Sequence, residues 1–179
     1  SLWQDEPVES ALKRTRTFIS DLVSLGFNKL GIHAGMPLKG DPADKLLLQE
    51  VIFEREAALY QAAEHSAAAL PDEEKPVYVI DVHLRQGMIE GNKNMVRKED
   101  VEIAVDRFAQ IAVTAGLPEI KERLLAARIF LGPGYDSEKV NPFDSSLIKE
   151  LGGCAHGCKQ VILEALQTDF QPHMVLDQM

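Results

Sequence analysis

The sequence is poor in the features that mark several common classes of protein. Its 179 residues include only two cysteines, so disulfide bonds cannot form a framework for the fold. Apolar residues make up 45% of the chain, yet no run approaches the roughly 20 consecutive apolar residues of a membrane-spanning helix. The 19 basic residues are outnumbered by 28 acidic ones, and the net charge of -9 disfavours nucleic acid or anionic lipid as the main partner. These absences predict a globular protein with no nucleic-acid or membrane partner.

The beginning of the chain also lacks a targeting signal. Residues 1–6, Ser-Leu-Trp-Gln-Asp-Glu, have neither the basic segment nor the apolar core of a signal peptide, so we expect a cytoplasmic protein. The length suits a single α/β domain over residues 1–179, and no clear linker divides the sequence.

The most strand-like segment is residues 76–85, in which β-branched and aromatic residues predominate. Residues 77–80 are apolar on both faces and should be covered on both sides, as in a sheet sandwiched between helices. Asp81, His83 and Arg85 then alternate with apolar residues, so their side chains share one face. We interpret the segment as the central strand, and its polar end as either a ligand site or the point where the strand reaches solvent.

Helical periodicity and glycine or proline boundaries divide the rest of the chain. Helices are predicted over residues 5–25, 41–70, 98–115, 118–125 and 159–167, and further strands over residues 27–33 and 127–131. Asp41 is expected to cap the second helix, with Pro42 at its first position. On that helix, a solvated face is expected to contain Glu50, Glu54, Glu64 and His65.

Strands that alternate with helices of this length require crossover connections, which are typical of parallel sheets. The predicted fold class is therefore α/β, with a small, mainly parallel or mixed sheet of three to five strands flanked by helices. An α+β arrangement is the alternative. A further strand is expected near residues 86–96.

Residues 151–158, Leu-Gly-Gly-Cys-Ala-His-Gly-Cys, form the segment best suited to chemistry, and two interpretations of it stay open. In the first, one helix passes through, and Cys154 and Cys158 are small core residues on its apolar face. In the second, the chain breaks at Gly152 and Gly153, because an interior glycine destabilises a helix by roughly 1 kcal/mol relative to alanine. A new helix would then begin near residues 154–157, and a thiol in its first turn would be ionised more easily and react faster.

A reactive thiol needs a base, and His83 is the first choice because Asp81 shares its strand face. His33 and His173 are the other candidates. The leading hypothesis is a cysteine-dependent hydrolase or transferase with Cys154 or Cys158 as the nucleophile and a small molecule or a protein as its substrate.

Two alternatives to a thiol enzyme stay open. Cys154, His156 and Cys158 are ligands of the types that zinc prefers, although their spacing differs from Cys-x2-Cys and a fourth ligand would have to come from elsewhere. Such a small Cys/His metal-binding domain is one alternative, but no cofactor is expected. The other is a non-catalytic protein-interaction module with both cysteines buried. The sequence does not indicate the oligomeric state.

Overall fold

The computed structural model describes residues 5–42, 48–82, 98–131 and 157–165, which form an α/β fold. The helices and strands are α1 (Val8–Ser24), β1 (Lys29–Gly31), α2 (Gln49–Ala67), β2 (Val77–Val82), α3 (Lys98–Thr114), β3 (Leu124–Leu131) and β4 (Gln160–Ala165), with 3₁₀ turns at Asp72–Glu74 and Pro118–Arg123. The strands form one four-stranded parallel sheet in the order β1-β2-β3-β4. The predicted class, a small parallel sheet flanked by helices, is therefore confirmed.

Two compact units divide the chain. The first is formed by residues 1–79 and 107–124, and the second by residues 80–106 and 125–179. The division passes through β2, α3 and β3. A single domain over residues 1–179 remains a prediction.

The helices follow the predicted periodicity closely, except where α2 begins. α1 and α3 lie within the segments predicted for them, and each is followed by a glycine with positive φ, Gly26 and Gly116, where a residue with a side chain would be strained. α2 begins at Gln49, so the prediction that Asp41 caps this helix is wrong. No helix in the part of the chain that the structure describes is long and apolar enough to cross a membrane.

In the first unit, the core is centred on three aromatic rings. α1 packs against α2, and β1 pairs in parallel with β2, with Leu30 opposite Tyr78. Tyr60 of α2 lies edge-on to Tyr78 of β2 and to Phe108 of α3, with ring centroids 5.0 and 5.4 Å apart. All three rings are buried, and edge-to-face pairs of this kind contribute stability beyond the area that they bury.

A polar cluster in the same unit closes the amino end of β2. The Tyr78 hydroxyl and the Arg123 guanidinium both donate hydrogen bonds to Glu64, and Arg123 also donates to the carbonyl of Pro76 at 2.8 Å. Burial, followed by the hydrogen bond to Glu64, raises the pKa of Tyr78 above its ordinary value. The prediction that Glu64 lies on a solvated face is therefore wrong, because its carboxylate accepts hydrogen bonds from two partners beneath the helix.

In the second unit, β4 pairs in parallel with β3, from Ala126 opposite Gln160 to Leu131 opposite Ala165. The helix predicted over residues 159–167 is wrong, since residues 160–165 form this strand. Their Val-Ile-Leu run is suited to a sheet as well as to a helix, and pairing with β3 decides between the two. Both interpretations of the cysteine segment continued into a helix here, so neither holds beyond residue 159.

Candidate functional site

The first candidate site is the loop of residues 32–41, which lies in the first unit. The loop leaves β1 at its carboxyl end, the end at which open α/β sheets generally bind ligands. Two consecutive side chains of α2, Arg55 and Glu56, are buried and reach it. The loop is therefore attached to the helix by charged groups.

Glu56 holds the start of this loop. Its carboxylate accepts a hydrogen bond from the backbone N–H of Ala34 at 3.2 Å and is contacted by Nη2 of Arg107 at 3.1 and 3.0 Å. The Arg107 guanidinium also lies 5.0 Å from the centroid of the Phe53 ring, a distance typical of a cation–π contact. A buried carboxylate is costly unless it is paired, and here a cation and a backbone donor compensate it.

His33 lies between this carboxylate and solvent. Its Nδ1 is 3.6 Å from Oε1 of Glu56, which is within ion-pair distance but too long for a hydrogen bond, and one third of its side chain is exposed. Gly35 lies against the imidazole: a Cβ added to this glycine would approach Cε1 and Nε2 of His33 to 2.6 and 2.8 Å. An accessible imidazole close to a fixed carboxylate is an arrangement that suits general acid–base chemistry.

Asp41 holds the other end of the loop. Its two carboxylate oxygens accept hydrogen bonds from Nη2 and Nη1 of Arg55 at 2.6 and 3.0 Å, and one of them also accepts the N–H of Leu38 at 2.6 Å. The hydrogen bond from Arg55 lowers the pKa of Asp41, the N–H of Leu38 acts in the same direction, and burial opposes both. The bidentate pair fixes the position of the loop where it turns back towards α2.

The second candidate site lies in the second unit and contains Asp81, one of the residues predicted from the sequence. Nε and Nη2 of Arg128 on β3 donate to its two carboxylate oxygens at 2.7 and 3.1 Å. The pair lies side by side on neighbouring strands. Asp81 was expected to share a strand face with His83, which lies outside the described residues.

Cys158 is a buried residue at the entrance to β4. Its thiol donates to the carbonyl of Gln160 at 3.3 Å, and the element that follows it is a strand in place of the predicted helix. Cys154, His156 and His173 lie outside the described residues, so the predicted thiol–histidine and zinc geometries remain untested. Within the ranges that the structure describes, no three His, Cys, Asp or Glu side chains are grouped to hold a metal ion.

The charged residues of α2 that hold the loop were missed at the sequence level, although the sequence contains a signal for them. In the sequence of this helix, Val51, Ile52 and Leu59 recur at the spacing of one apolar stripe, with a gap at Arg55 and Glu56. These two residues occupy the helical positions that belong to the stripe. Charged residues inside an apolar stripe are expected to be buried and paired, which is what the structure shows.

Comparison with known proteins gives consistent matches over the whole chain. The family model described as D-tagatose-1,6-bisphosphate aldolase subunit GatZ/KbaZ-like matches residues 1–179. A D-tagatose 6-phosphate 4-epimerase from Agrobacterium fabrum is 26% identical over 97% of this chain, and a D-tagatose-1,6-bisphosphate aldolase subunit GatZ from Klebsiella oxytoca is 28% identical over 94%. The chain spans 41% and 40% of these two relatives.

A solved structure shares the fold. The crystal structure of a probable tagatose 6 phosphate kinase from Sinorhizobium meliloti 1021 superposes with a TM-score of 0.70 at 23% identity, covering 98% of this chain and 41% of that one. At this identity the likeness supports the fold alone.

These matches overturn the function predicted from the sequence. A cysteine-dependent hydrolase or transferase, a non-catalytic interaction module and a small Cys/His zinc domain all disagree with a family match over the whole chain to proteins of sugar metabolism. The hypotheses started from the cysteine segment, of which the structure describes only Gly157 and Cys158.

Proposed function

The chain belongs to the D-tagatose-1,6-bisphosphate aldolase subunit GatZ/KbaZ-like family, and from this premise we propose that it binds a phosphorylated ketohexose, such as D-tagatose 6-phosphate, at the carboxyl end of its sheet. The observation that carries the proposal is the loop of residues 32–41, which Arg55 and Glu56 hold at both ends. Because the chain spans about two fifths of its relatives, the complete activity of those relatives is part of the proposal.

The two relatives have different activities but share one chemical requirement. Aldol cleavage of D-tagatose 1,6-bisphosphate breaks the C3–C4 bond, and a 4-epimerase inverts C4, so in both reactions a proton must leave or return at the C4 hydroxyl. In the proposed site His33 carries this proton. Glu56 faces Nδ1 of its imidazole at a distance of 3.6 Å.

A protein partner is the second part of the proposal. Several relatives are described as aldolase subunits, which supports association with another polypeptide. We assign no cofactor to the chain. A metal requirement would appear in the assay below as a difference between samples containing EDTA and samples containing divalent cations.

Isothermal titration of the chain with D-tagatose 6-phosphate and with D-tagatose tests the ligand. We expect the phosphorylated sugar to bind at least about tenfold more tightly, a difference of about 1.4 kcal/mol. His33→Ala should reduce turnover of D-tagatose 6-phosphate, measured as loss of substrate by NMR, far more than it reduces binding, because a proton carrier acts mainly in the transition state.

His65→Ala is the matched control, since His65 lies on the exposed surface of α2 away from the loop. It should leave binding and turnover unchanged. If the folded chain binds neither D-tagatose 6-phosphate nor D-tagatose 1,6-bisphosphate, the proposed ligand is wrong. If turnover persists at the wild-type rate in His33→Ala, the proposed role of His33 is wrong.

A further inference from the structure

The largely buried arginines of the first unit differ in how many of their donors are used. At most 20% of the side chains of Arg55, Arg107 and Arg123 is exposed, and each contacts a carboxylate. Arg55 and Arg123 donate hydrogen bonds through both Nη1 and Nη2. Arg107 contacts Glu56 through Nη2 alone, and the described residues provide no hydrogen-bond partner for its Nη1 and Nε. The N–H groups of these two nitrogens are left for another acceptor.

The surroundings of Arg107 make these unused donors significant. The ring of Phe53 lies 5.0 Å from Cζ of the guanidinium and contacts its face, whereas the donors point outward in its plane. The ring therefore shields the group on one side without using any N–H. A largely buried donor costs free energy unless it is paired, and 18% of this side chain remains accessible. Both facts favour a ligand that accepts hydrogen bonds from Arg107.

Arg107 and His33 meet at one atom of Glu56. Its Oε1 lies 3.1 Å from Nη2 of Arg107 and 3.6 Å from Nδ1 of His33. The guanidinium is therefore part of the site proposed above and lies close to the imidazole. In a phosphorylated D-tagatose, the phosphate on C6 is one carbon nearer to the C4 hydroxyl than a phosphate on C1. The short separation of the two side chains thus suits a phosphate on C6 when the C4 hydroxyl meets His33.

We propose that Arg107 binds the C6 phosphate of the sugar. The assignment to C6 rests on the proposed function, because it takes the ligand and the role of His33 from there. Binding of an inorganic anion by Arg107 depends on neither.

The contacts of Arg107 suit this role. Glu56 and Phe53 hold the guanidinium in position, so an incoming phosphate does not have to immobilise a flexible side chain. Phosphate oxygens accept strong, directed hydrogen bonds from a guanidinium. Because Glu56 compensates the charge of Arg107 at long range, affinity depends on these short hydrogen bonds.

Titrations with D-tagatose 6-phosphate, D-tagatose 1-phosphate and D-tagatose test which phosphate is bound. Arg107→Gln should weaken binding of D-tagatose 6-phosphate by roughly 10-fold to 100-fold, the effect of losing hydrogen bonds to a charged group. The affinities for D-tagatose 1-phosphate and D-tagatose should stay unchanged, because neither has a phosphate on C6. Arg107→Lys should restore only part of the affinity, because an ammonium cannot present several donors in one plane.

A measurement on the wild-type chain tests anion binding without any variant. Inorganic phosphate should shift the Nε–Hε NMR signal of Arg107 and leave that of Arg123 in place. A purely structural role of Arg107 would leave both signals in place.

Two variants control for the loss of a buried charge. Arg123→Gln is the matched control, because 20% of the Arg123 side chain is exposed against 18% for Arg107, and it lies at the amino end of β2. It should keep the wild-type affinity for D-tagatose 6-phosphate. Arg14→Gln removes an arginine of an exposed pair with Glu6 and provides the same control for charge if Arg123→Gln does not fold.

A double variant controls for folding. Arg107→Gln leaves the carboxylate of Glu56 buried without its cation, which can prevent folding. Glu56→Gln combined with Arg107→Gln removes both charges together, so it should fold even if the single variant does not. It should show the same loss of affinity for D-tagatose 6-phosphate.

The outcomes separate the two proposals. Wild-type affinity for D-tagatose 6-phosphate in Arg107→Gln or in the double variant overturns the role of Arg107 and leaves the proposed ligand intact. An equal loss of affinity for D-tagatose 1-phosphate overturns the assignment to C6. A shift of the Arg107 signal by inorganic phosphate, without binding of any sugar phosphate, supports the anion site and overturns the proposed sugar ligand. If the wild-type chain binds no phosphate compound, both proposals fail.

Discussion

Arg55 and Glu56 are consecutive residues of α2, yet their side chains bind opposite ends of the same loop. Arg55 engages Asp41 at the end of the loop, and Glu56 engages the N–H of Ala34 at its start. Neighbouring positions on a helix point about 100° apart, which lets one turn of α2 hold two separate points of the loop. A loop held in this way is ordered before a ligand arrives, so binding does not have to compensate for the entropy of ordering it.

Asp41→Asn is expected to destabilise the protein by roughly 3 kcal/mol, the lower end of the range for breaking a buried ion pair, because it leaves the buried Arg55 without its counter-charge. The free energy of unfolding from urea denaturation measures the effect. Asp72→Asn is the matched control: Asp72 is almost fully exposed and pairs with Lys75, so its replacement should change stability little. Equal effects of the two substitutions would mean that the Asp41–Arg55 pair does not hold the loop.

The same pair should give the protein a distinct sensitivity to acid. In the folded state the pKa of Asp41 is lowered, chiefly by the hydrogen bond from Arg55. The ionised carboxylate therefore stabilises the protein at pH values above the pKa of about 3.9 that this group has in the unfolded chain. This stabilisation is lost as the pH falls through the lower pKa of the folded state. Between about pH 6 and pH 3, stability should therefore fall less steeply in Asp41→Asn than in the wild type. Parallel curves for the two proteins would contradict the assignment.

The fold was more accessible from the sequence than the site. The aliphatic and aromatic residues of β2 and the apolar periodicity of α3 indicate their structures directly, because burial decides both, on two faces of the strand and on one face of the helix. β4 was mistaken for a helix because Val161 and Ile162 lie between residues that favour helices, and the strand exists through pairing with β3, which is distant in sequence.

The candidate site was missed for a different reason. Glu56 and Arg107 are 51 positions apart, and no local pattern indicates that they meet. The cysteines and the histidine of residues 151–158 lie close together in a glycine-rich segment and are therefore conspicuous in the sequence. Glu56 draws attention only when the apolar stripe of α2 around it is expected to be buried. Asp81 was selected for its position at the end of a strand, but its partner Arg128 comes from a different strand.

Gly35→Ala should displace His33 without straining the backbone. The glycine has no left-handed φ, so only the new Cβ matters, and it would lie 2.6 Å from Cε1 of the imidazole. We expect altered ring signals of His33 in histidine-selective NMR spectra and reduced turnover of D-tagatose 6-phosphate, with little change in the free energy of unfolding.

Gly26→Ala is the opposite case and serves as the control. Its φ of 89° is left-handed and the space around it is open, so alanine should cost roughly 1–2 kcal/mol of stability and leave the His33 signals unchanged. Unaltered His33 signals in Gly35→Ala would show that the ring does not lie against this glycine.

The segment entering β4 can be tested through Gly157 and Val105. Gly157 has a φ of 93°, and a Cβ added to it would lie 2.6 Å from Cγ1 of Val105 on α3. Gly157→Ala should therefore destabilise the protein in two ways, by roughly 1–2 kcal/mol of backbone strain and by collision with a β-branched side chain that has little freedom to move. Val105→Ala removes the collision but not the strain.

A double-mutant cycle separates the two causes. The variant carrying both substitutions should be more stable than the sum of the single effects predicts, by roughly 0.5–3 kcal/mol, the usual size of coupling between residues in contact. Additive effects would mean that residue 157 does not lie against α3. The test bears on β4 as well, because the strand found in place of the predicted helix starts three residues after Gly157, and the close approach of this glycine to α3 fixes where the chain enters the sheet.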